Sequence, residues 1–162
     1  MIKDKKILAV IPARIGSKGL KKKNIKLFNG HPLIAWTITS AKQSSLIDDI
    51  IVTSDSKLIL NKSKKYIEDY LYLRPKNLGS DNVKNSDVCL NAFTHMYENY
   101  KKKYDYILLL QPTVPFRLNN EIDNAIKKFH RNKYDYLISI KEQDYPPWWM
   151  FALNGEKLKP IF

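Results

Sequence analysis

Cysteine and histidine are scarce in this 162-residue chain, which has one of the first, Cys89, and three of the second. A lone cysteine excludes an internal disulfide and suits a reducing compartment. With three scattered histidines it also offers no zinc-ligand spacing. Long apolar runs are missing too, and none approaches the ~20 residues of a membrane-spanning helix. The N-terminus, MIKDKKILAVIPAR, begins basic, but its apolar stretch runs only from Ile7 to Ile11. That is too short for a signal peptide, so a cytoplasmic protein is expected. We find no internal repeat, no low-complexity tract, no inter-domain linker and no two-residue hairpin turn between strands.

Acidic residues are the next shortage: 16 Asp and Glu stand against 28 Lys and Arg, a formal charge of +12. Such an excess fits a polyanionic partner, whether nucleic acid, an acidic membrane or a nucleoside triphosphate. It fits a generally lysine-rich composition equally well. Lysines occur along the whole chain, and Lys62, Lys64, Lys65 and Lys101 to Lys103 read as solvated faces. Charge alone therefore selects no partner. Hydrophobic residues make up 44% of the chain, a globular composition, and the length suits one domain with a real core.

What is present is an alternation of β-rich runs and helical periods. Strands are predicted at Ile7–Ile11, Ile50–Thr53, Tyr70–Leu73, Tyr106–Leu110 and Tyr136–Ile140, with a sixth at Trp148–Leu153. Helices are predicted over 33–41, 57–67, 86–100 and 122–129. In the third helix Cys89, Leu90, Phe93, Met96, Tyr97 and Tyr100 fall on one stripe, with Asn85 or Ser86 as N-cap. Asn119 or Asn120 would cap the fourth. Strand–helix alternation implies right-handed crossovers and a parallel sheet. A run such as YILLL, which does not alternate, fits a sheet covered on both faces. The expected architecture is α/β: a mostly parallel twisted sheet with helices on both faces, of Rossmann-like type. Ligands of such sheets sit beyond the carboxyl ends of the strands. The loops after Ile11, Thr53, Leu73, Leu110 and Ile140 are therefore the ones to read.

The first of these loops holds six cations between Pro12 and Lys26, about twice the share this composition predicts. Gly16 and Gly19 allow tight turns that bring backbone N–H groups close to a ligand. Arg14 offers a planar fork for phosphate, Lys18 and Lys23 mobile point charges, and Ser17 a hydroxyl. A triphosphate cradle is the functional reading, and an ordinary solvated basic loop the structural one. The spacing matches neither the P-loop nor the dinucleotide fingerprint.

The stretch IPARIGSKGLKKKN resembles the signature loop of the acylneuraminate cytidylyltransferases, the CMP-sialic acid synthetases, A-R-x-x-S-K-G-x-x-x-K-N. The resemblance continues in order through IIVTSDS, LRPKNLGSD, LLLQPTVPFR and the strand ending ISI, and covers essentially the whole chain. It implies a Rossmann-like nucleotidyltransferase (GT-A-like) domain in which Arg14, Ser17, Lys18, Lys23 and Asn24 bind the CTP phosphates, with Arg14, Lys18 and Lys23 carrying the catalytic charge. Lys21 and Lys22 fall at variable positions and are bystanders. Asp55, in the S-T-D element with its Ser and Thr exchanged, holds the first loop or caps the next helix, with a direct catalytic role as the alternative. Arg74, with Ser80 and Asn85 in the polar loop that follows, meets the cytosine or ribose; Asn85 stands where the family usually has Ser or Thr. Gln111 recognises the acidic sugar and Thr113 sits in the same loop. For Thr113 and Arg117 the alternative is structural, with Arg117 tying the loop to a neighbouring carboxylate. Trp149 replaces a lysine that some members direct at the sugar, and is either a stacking aromatic or a buried core or interface residue.

The implied reaction is attack by the anomeric hydroxyl of a 2-keto sugar acid of sialic, legionaminic or pseudaminic type on the α-phosphorus of CTP, releasing pyrophosphate. The resemblance implies Mg²⁺ as cofactor, with CTP and an acidic nine-carbon sugar as partners, and neither nucleic acid nor membrane. The family runs on past the point matching Phe162 into a dimerisation segment and an aspartate motif that binds the metal. No residue of this chain is thus expected as a metal ligand. CTP binding without turnover is the alternative, in a monomeric or weakly associated chain with an apolar patch around Trp148, Trp149 and Phe151, where the whole family would be homodimeric. A Kdo-type enzyme is disfavoured because that group has an acidic residue where Gln111 stands. An RNA- or DNA-binding domain ranks last, since the tyrosines fall on strands and helix stripes.

Overall fold

A computed structural model describes residues 2–17, 19–118, 120–142 and 144–161. In chain order its elements are β1 (Ile7–Ala13), β2 (Leu27–Phe28), β3 (His31–Pro32), α1 (Leu33–Lys42), β4 (Asp49–Ser54), α2 (Lys57–Ser63), β5 (Tyr70–Leu73), α3 (Asn85–Tyr100), β6 (Tyr106–Leu109), α4 (Glu121–Asn132), β7 (Phe151–Asn154) and β8 (Lys157–Pro160). Four strands form a parallel sheet in the order β5-β4-β1-β6. Its register places Val10 beside Ile51 and Ala9 beside Leu108.

The central strand explains the layering. Successive side chains of a strand point to opposite faces, and in ILAVIPA both sets are buried. Ile7, Ala9, Ile11 and Ala13 meet Ile34, Ile38 and Ala41 of α1, Ile59 and Leu60 of α2, and Ile122 and Ile126 of α4. Leu8 and Val10, with Ile51, meet Cys89, Ala92 and Met96 of α3. Helices therefore cover both faces, three on one and one on the other, as a parallel sheet requires. Burial pushes the Cys89 thiol up to about 11, so it behaves as a small core apolar group.

Two hairpins escaped the sequence reading. Asn29 and Gly30, with φ of 47° and 80°, join β2 to β3, and Gly155, with φ of 62°, opens the turn between β7 and β8. Both are two-residue turns of the kinds that require positive φ. Neither belongs to the parallel sheet, so the main topology is unaffected.

The helix boundaries shift as well. α3 begins at Asn85, with Lys84 at the N-cap position and no capping side chain. Its buried stripe is Val88, Cys89, Ala92 and Met96, while Leu90, Tyr97 and Tyr100 are exposed. α4 starts after Asn120, in the left-handed region at φ 66° with no side-chain cap; Asn119, the other candidate cap, lies outside the described residues.

The largest correction is Tyr136–Ile140, which forms no strand. Tyr136, Ile138 and Ile140 are exposed, Ile140 at 88%. The residue pattern favours a strand, but β-propensity expresses packing and pairing with neighbours, and no described residue pairs with this segment. Trp148, Trp149 and Phe151 are exposed as well, so Trp149 is not a buried core residue. The predicted sixth strand begins only at Phe151 and lies wholly on the surface.

At the amino ends of the sheet, carboxylates take up open backbone donors. The Ile7 amide donates to Asp48 Oδ2 at 2.7 Å and the Lys6 amide to Asp105 Oδ2 at 2.9 Å. Lys5 Nζ reaches Asp105 Oδ1 at 2.7 Å. Lys102 is not merely solvated: it bonds Asp49 at 2.6 Å and lies over the Tyr70 ring. The Tyr104 hydroxyl donates to the same aspartate at 2.7 Å.

Candidate functional site

Beyond the opposite, carboxyl ends of the strands lies a cavity of ≈ 440 Å³. Sheet order explains its place. From β1 the chain steps outward to β4 and β5, then crosses back over β1 to β6. The loops after β1 and β6 consequently leave in opposite directions, and a crevice opens between them.

The loop after β1 supplies one wall through Arg14, Ser17, Gly19, Lys23 and Asn24. Its shape is held from within. Buried Asn24 donates its side-chain amide to the Arg14 carbonyl at 2.9 Å, and the Ser17 amide donates to the Ile15 carbonyl at 3.1 Å. The Ile15 amide donates outward to Asp55 Oδ1 at 3.0 Å. Asp55 therefore holds the first loop, one of its two expected jobs. Lys21 and Lys22 are exposed and do not line the cavity. Lys18 lies outside the described residues.

The second wall comes from the segment after β5: Arg74, Leu78, Ser80, Asp81, Val83, Asn85 and Val88. Arg74 is only 4% exposed, and a buried guanidinium needs partners. Its Nη1 donates to the Thr53 carbonyl at 2.6 Å and its Nε to the Leu78 carbonyl at 3.2 Å. Desolvation lowers its pKa, opposed by the charge of Asp55. Because those partners are neutral carbonyls, the cation remains available electrostatically to the cavity. Asn85 and Val88 bring the uncapped N-terminus of α3 to the same wall, where the helix dipole favours negative charge. Arg14 and Asp81 form an ion pair across the two walls.

The third wall is Gln111, Pro112 and Thr113, directly after β6. Gln111 and Thr113 are exposed toward the cavity side, and Pro112 is buried. Arg117 anchors this loop, but not to a carboxylate. It donates to the carbonyls of Val114 and Gln111 at 2.7 and 3.0 Å and to the Thr37 hydroxyl at 3.1 Å. Backbone carbonyls are the natural acceptors here, since two prolines leave the loop few internal bonds.

All nine described residues among the predicted site positions line this one cavity: Arg14, Ser17, Lys23, Asn24, Arg74, Ser80, Asn85, Gln111 and Thr113. The loop after Ile140 does not reach it. The sequence reading passed over Leu78, Val83 and Val88, which give the cavity its apolar patch. A faint signal existed, for Val83 is the lone apolar residue in the otherwise polar stretch 80–85. Asp81 is the one acidic residue on the wall, and no cluster of three or more His, Cys, Asp or Glu occurs among the described residues. Such a donor set fits Mg²⁺ carried on a nucleotide's phosphates, not a protein cage. No helix among the described residues is long and apolar enough to cross a membrane.

Comparison with known proteins places the chain in a family. The family model for cytidylyltransferases matches residues 8–145. The chain is 37% identical over 159 residues to the CMP-N,N'-diacetyllegionaminic acid synthase of Legionella pneumophila, covering 96% of this chain and 67% of that protein. It is 35% identical over 149 residues to the pseudaminic acid cytidylyltransferase of Campylobacter jejuni, covering 92% and 64%. The chain thus spans about two thirds of the length of these relatives. A solved CMP:2-keto-3-deoxy-manno-octonic acid synthetase complexed with CTP shares the fold, with a TM-score of 0.63 at 20% identity over 79% of this chain and 48% of that one.

Proposed function

Because this chain belongs to the cytidylyltransferase family, we propose that it transfers CMP from CTP to a 2-keto sugar acid of the sialic, legionaminic or pseudaminic type. The observation that carries this reading is the convergence of Arg14, Lys23 and buried Arg74 on one cavity at the carboxyl ends of the sheet. In the reaction the anomeric oxygen of the sugar bonds to the α-phosphorus of CTP. The bond from that phosphorus to the β-phosphate bridging oxygen breaks, pyrophosphate leaves, and the hydroxyl proton passes to solvent.

Chemistry of this kind rests on positioning and charge neutralisation. Arg14 and Lys23, joined by Lys18, hold the β- and γ-phosphates and stabilise the charge that builds on the leaving group. Asn24 keeps their loop closed and Ser17 adds a hydroxyl donor. Arg74, Ser80 and Asn85 face the ribose and cytosine, with Val83 and Val88 as an apolar floor. Gln111 and Thr113 receive the sugar acid from the opposite wall. Mg²⁺ supplies further neutralisation of the phosphate oxygens when it arrives with CTP. The same reading makes the protein a cytoplasmic enzyme whose partners are small anions and not nucleic acid. Its sugar-facing wall, one short loop, supports a second reading as a CTP-binding module without turnover.

A pyrophosphate-release assay with CTP, Mg²⁺ and each of the three sugar acids tests the activity. Release that requires both CTP and one of these sugars is the expected result. CTP binding with no release from any sugar selects the module reading, and absence of CTP binding overturns both.

A further inference from the structure

We propose that Asp55 is a positioning residue that sets the spacing between the phosphate-side and base-side walls, with Gly79 left without a side chain to make room for it. The inference rests on the CTP reading of the cavity. Asp55 directly follows β4 and precedes α2, so its backbone is anchored to the sheet. The neighbouring turn is fixed as well, with the Ser56 amide donating to Ser54 Oγ at 3.1 Å.

From that fixed point one carboxylate touches both loops. Its Oδ1 accepts the Ile15 amide at 3.0 Å, one residue beyond Arg14. Its other edge lies against Gly79, in the loop that carries Ser80 and Asp81. A Cβ on Gly79 would fall 3.0 Å from both Cβ and Cγ of Asp55 and nearer still to Oδ2. Gly79 has no unusual φ, so close approach alone explains the glycine. The charge of Asp55 also supports the cationic form of Arg74 between the two loops. The side chain of Asp55 does not line the cavity. It acts through Ile15, Arg74 and the glycine contact, and so shapes the site without touching substrate.

The test compares Asp55→Ala, Asp55→Asn and Gly79→Ala with the native chain. Amide hydrogen exchange over residues 13–24 is measured without ligand, and affinities for CTP and CMP are measured by calorimetry well below each melting temperature. In Asp55→Ala the Ile15 amide loses its acceptor, and exchange of the loop should rise about tenfold, with CTP affinity falling about tenfold and CMP affinity less than about threefold. Asp55→Asn keeps an oxygen acceptor for Ile15 and should stay within about threefold of native for both ligands. Gly79→Ala displaces the carboxylate and the base-side wall together, and should weaken both ligands. A purely structural Asp55 would lower the melting temperature and leave the CTP-to-CMP ratio unchanged, which overturns the proposal. Unchanged exchange at Ile15 in Asp55→Ala overturns it independently. If the native chain binds neither nucleotide, the CTP reading fails, while the exchange measurement still decides whether Asp55 restrains the loop.

Discussion

At the amino ends of the sheet, Asp48, Asp49 and Asp105 take up two backbone amides and the side chains of Lys5, Lys102 and Tyr104. At the carboxyl ends, Arg14, Lys23 and Arg74 surround a cavity whose wall carries one acid, Asp81. The first end is electrically finished, because each of its three carboxylates already has donors. The second sets three cations against that one acid, which pairs with Arg14. A formal charge of +12 conceals this difference, since most lysines are exposed and screened within about 10 Å at ordinary ionic strength. Where the cations sit says more than how many there are.

Mutation at either end should break the comparison in opposite ways. Arg74→Ala should have the largest effect, costing about 2–3 kcal/mol of CTP affinity, the upper range for losing a charged donor. It should also lower the unfolding midpoint, because the Thr53 and Leu78 carbonyls lose their partner. Calorimetry and denaturant titration on the same variant check both. Arg14→Ala should weaken CTP by about 1–2 kcal/mol with little loss of stability, since its side chain is partly exposed. Lys64→Ala, on an exposed face, is the control expected to change nothing measurable.

The amino end should respond in stability alone. Asp49→Ala removes the acceptor of Lys102 and Tyr104 and should cost about 1 kcal/mol of unfolding free energy. CTP affinity should stay within about twofold, because the strand length separates this end from the cavity. The smallest effect concerns pH. The side-chain hydrogen bond from Lys5, then the Lys6 amide, hold the Asp105 carboxyl below its ordinary value. A lowered folded-state pKa gives stability that is present above the unfolded carboxylate's pKa and lost as pH falls. Asp105→Asn should therefore flatten the acid limb of the stability profile slightly and leave neutral-pH CTP binding alone.

The sheet was legible in the sequence because ILAVIPA and IIVTS do not alternate, as doubly covered strands allow, and both are buried almost throughout; YILLL forms a strand too, but at the sheet edge, where Ile107 is exposed. The cavity lining was legible because its residues cluster in the loops directly after β1, β5 and β6. Tyr136–Ile140 misled, for its β-rich run describes a strand while pairing depends on an edge that no residue pattern names. The stripe of α3 was misplaced by one position, since Leu90 and Tyr97 are as apolar as the Val88 and Ala92 that are buried. Lys102 and Arg117 were misjudged because their acceptors, Asp49 and the Val114 and Gln111 carbonyls, are set by tertiary placement. The Asn29-Gly30 hairpin, by contrast, had a readable signal that was overlooked.

The central claim is that the carboxyl end of this sheet binds CTP in preference to other nucleotides. Its most direct test is thermal unfolding with Mg²⁺ and each of CTP, UTP, ATP and GTP at equal concentration. At a CTP concentration about 100 times its Kd, the native state should gain about 2.7 kcal/mol, and the melting temperature should rise visibly. The other three nucleotides should give smaller shifts, because Arg74 and the polar loop at Ser80–Asn85 would meet the wrong base. Equal shifts with all four would contradict the account and reduce the cavity to a general polyphosphate site.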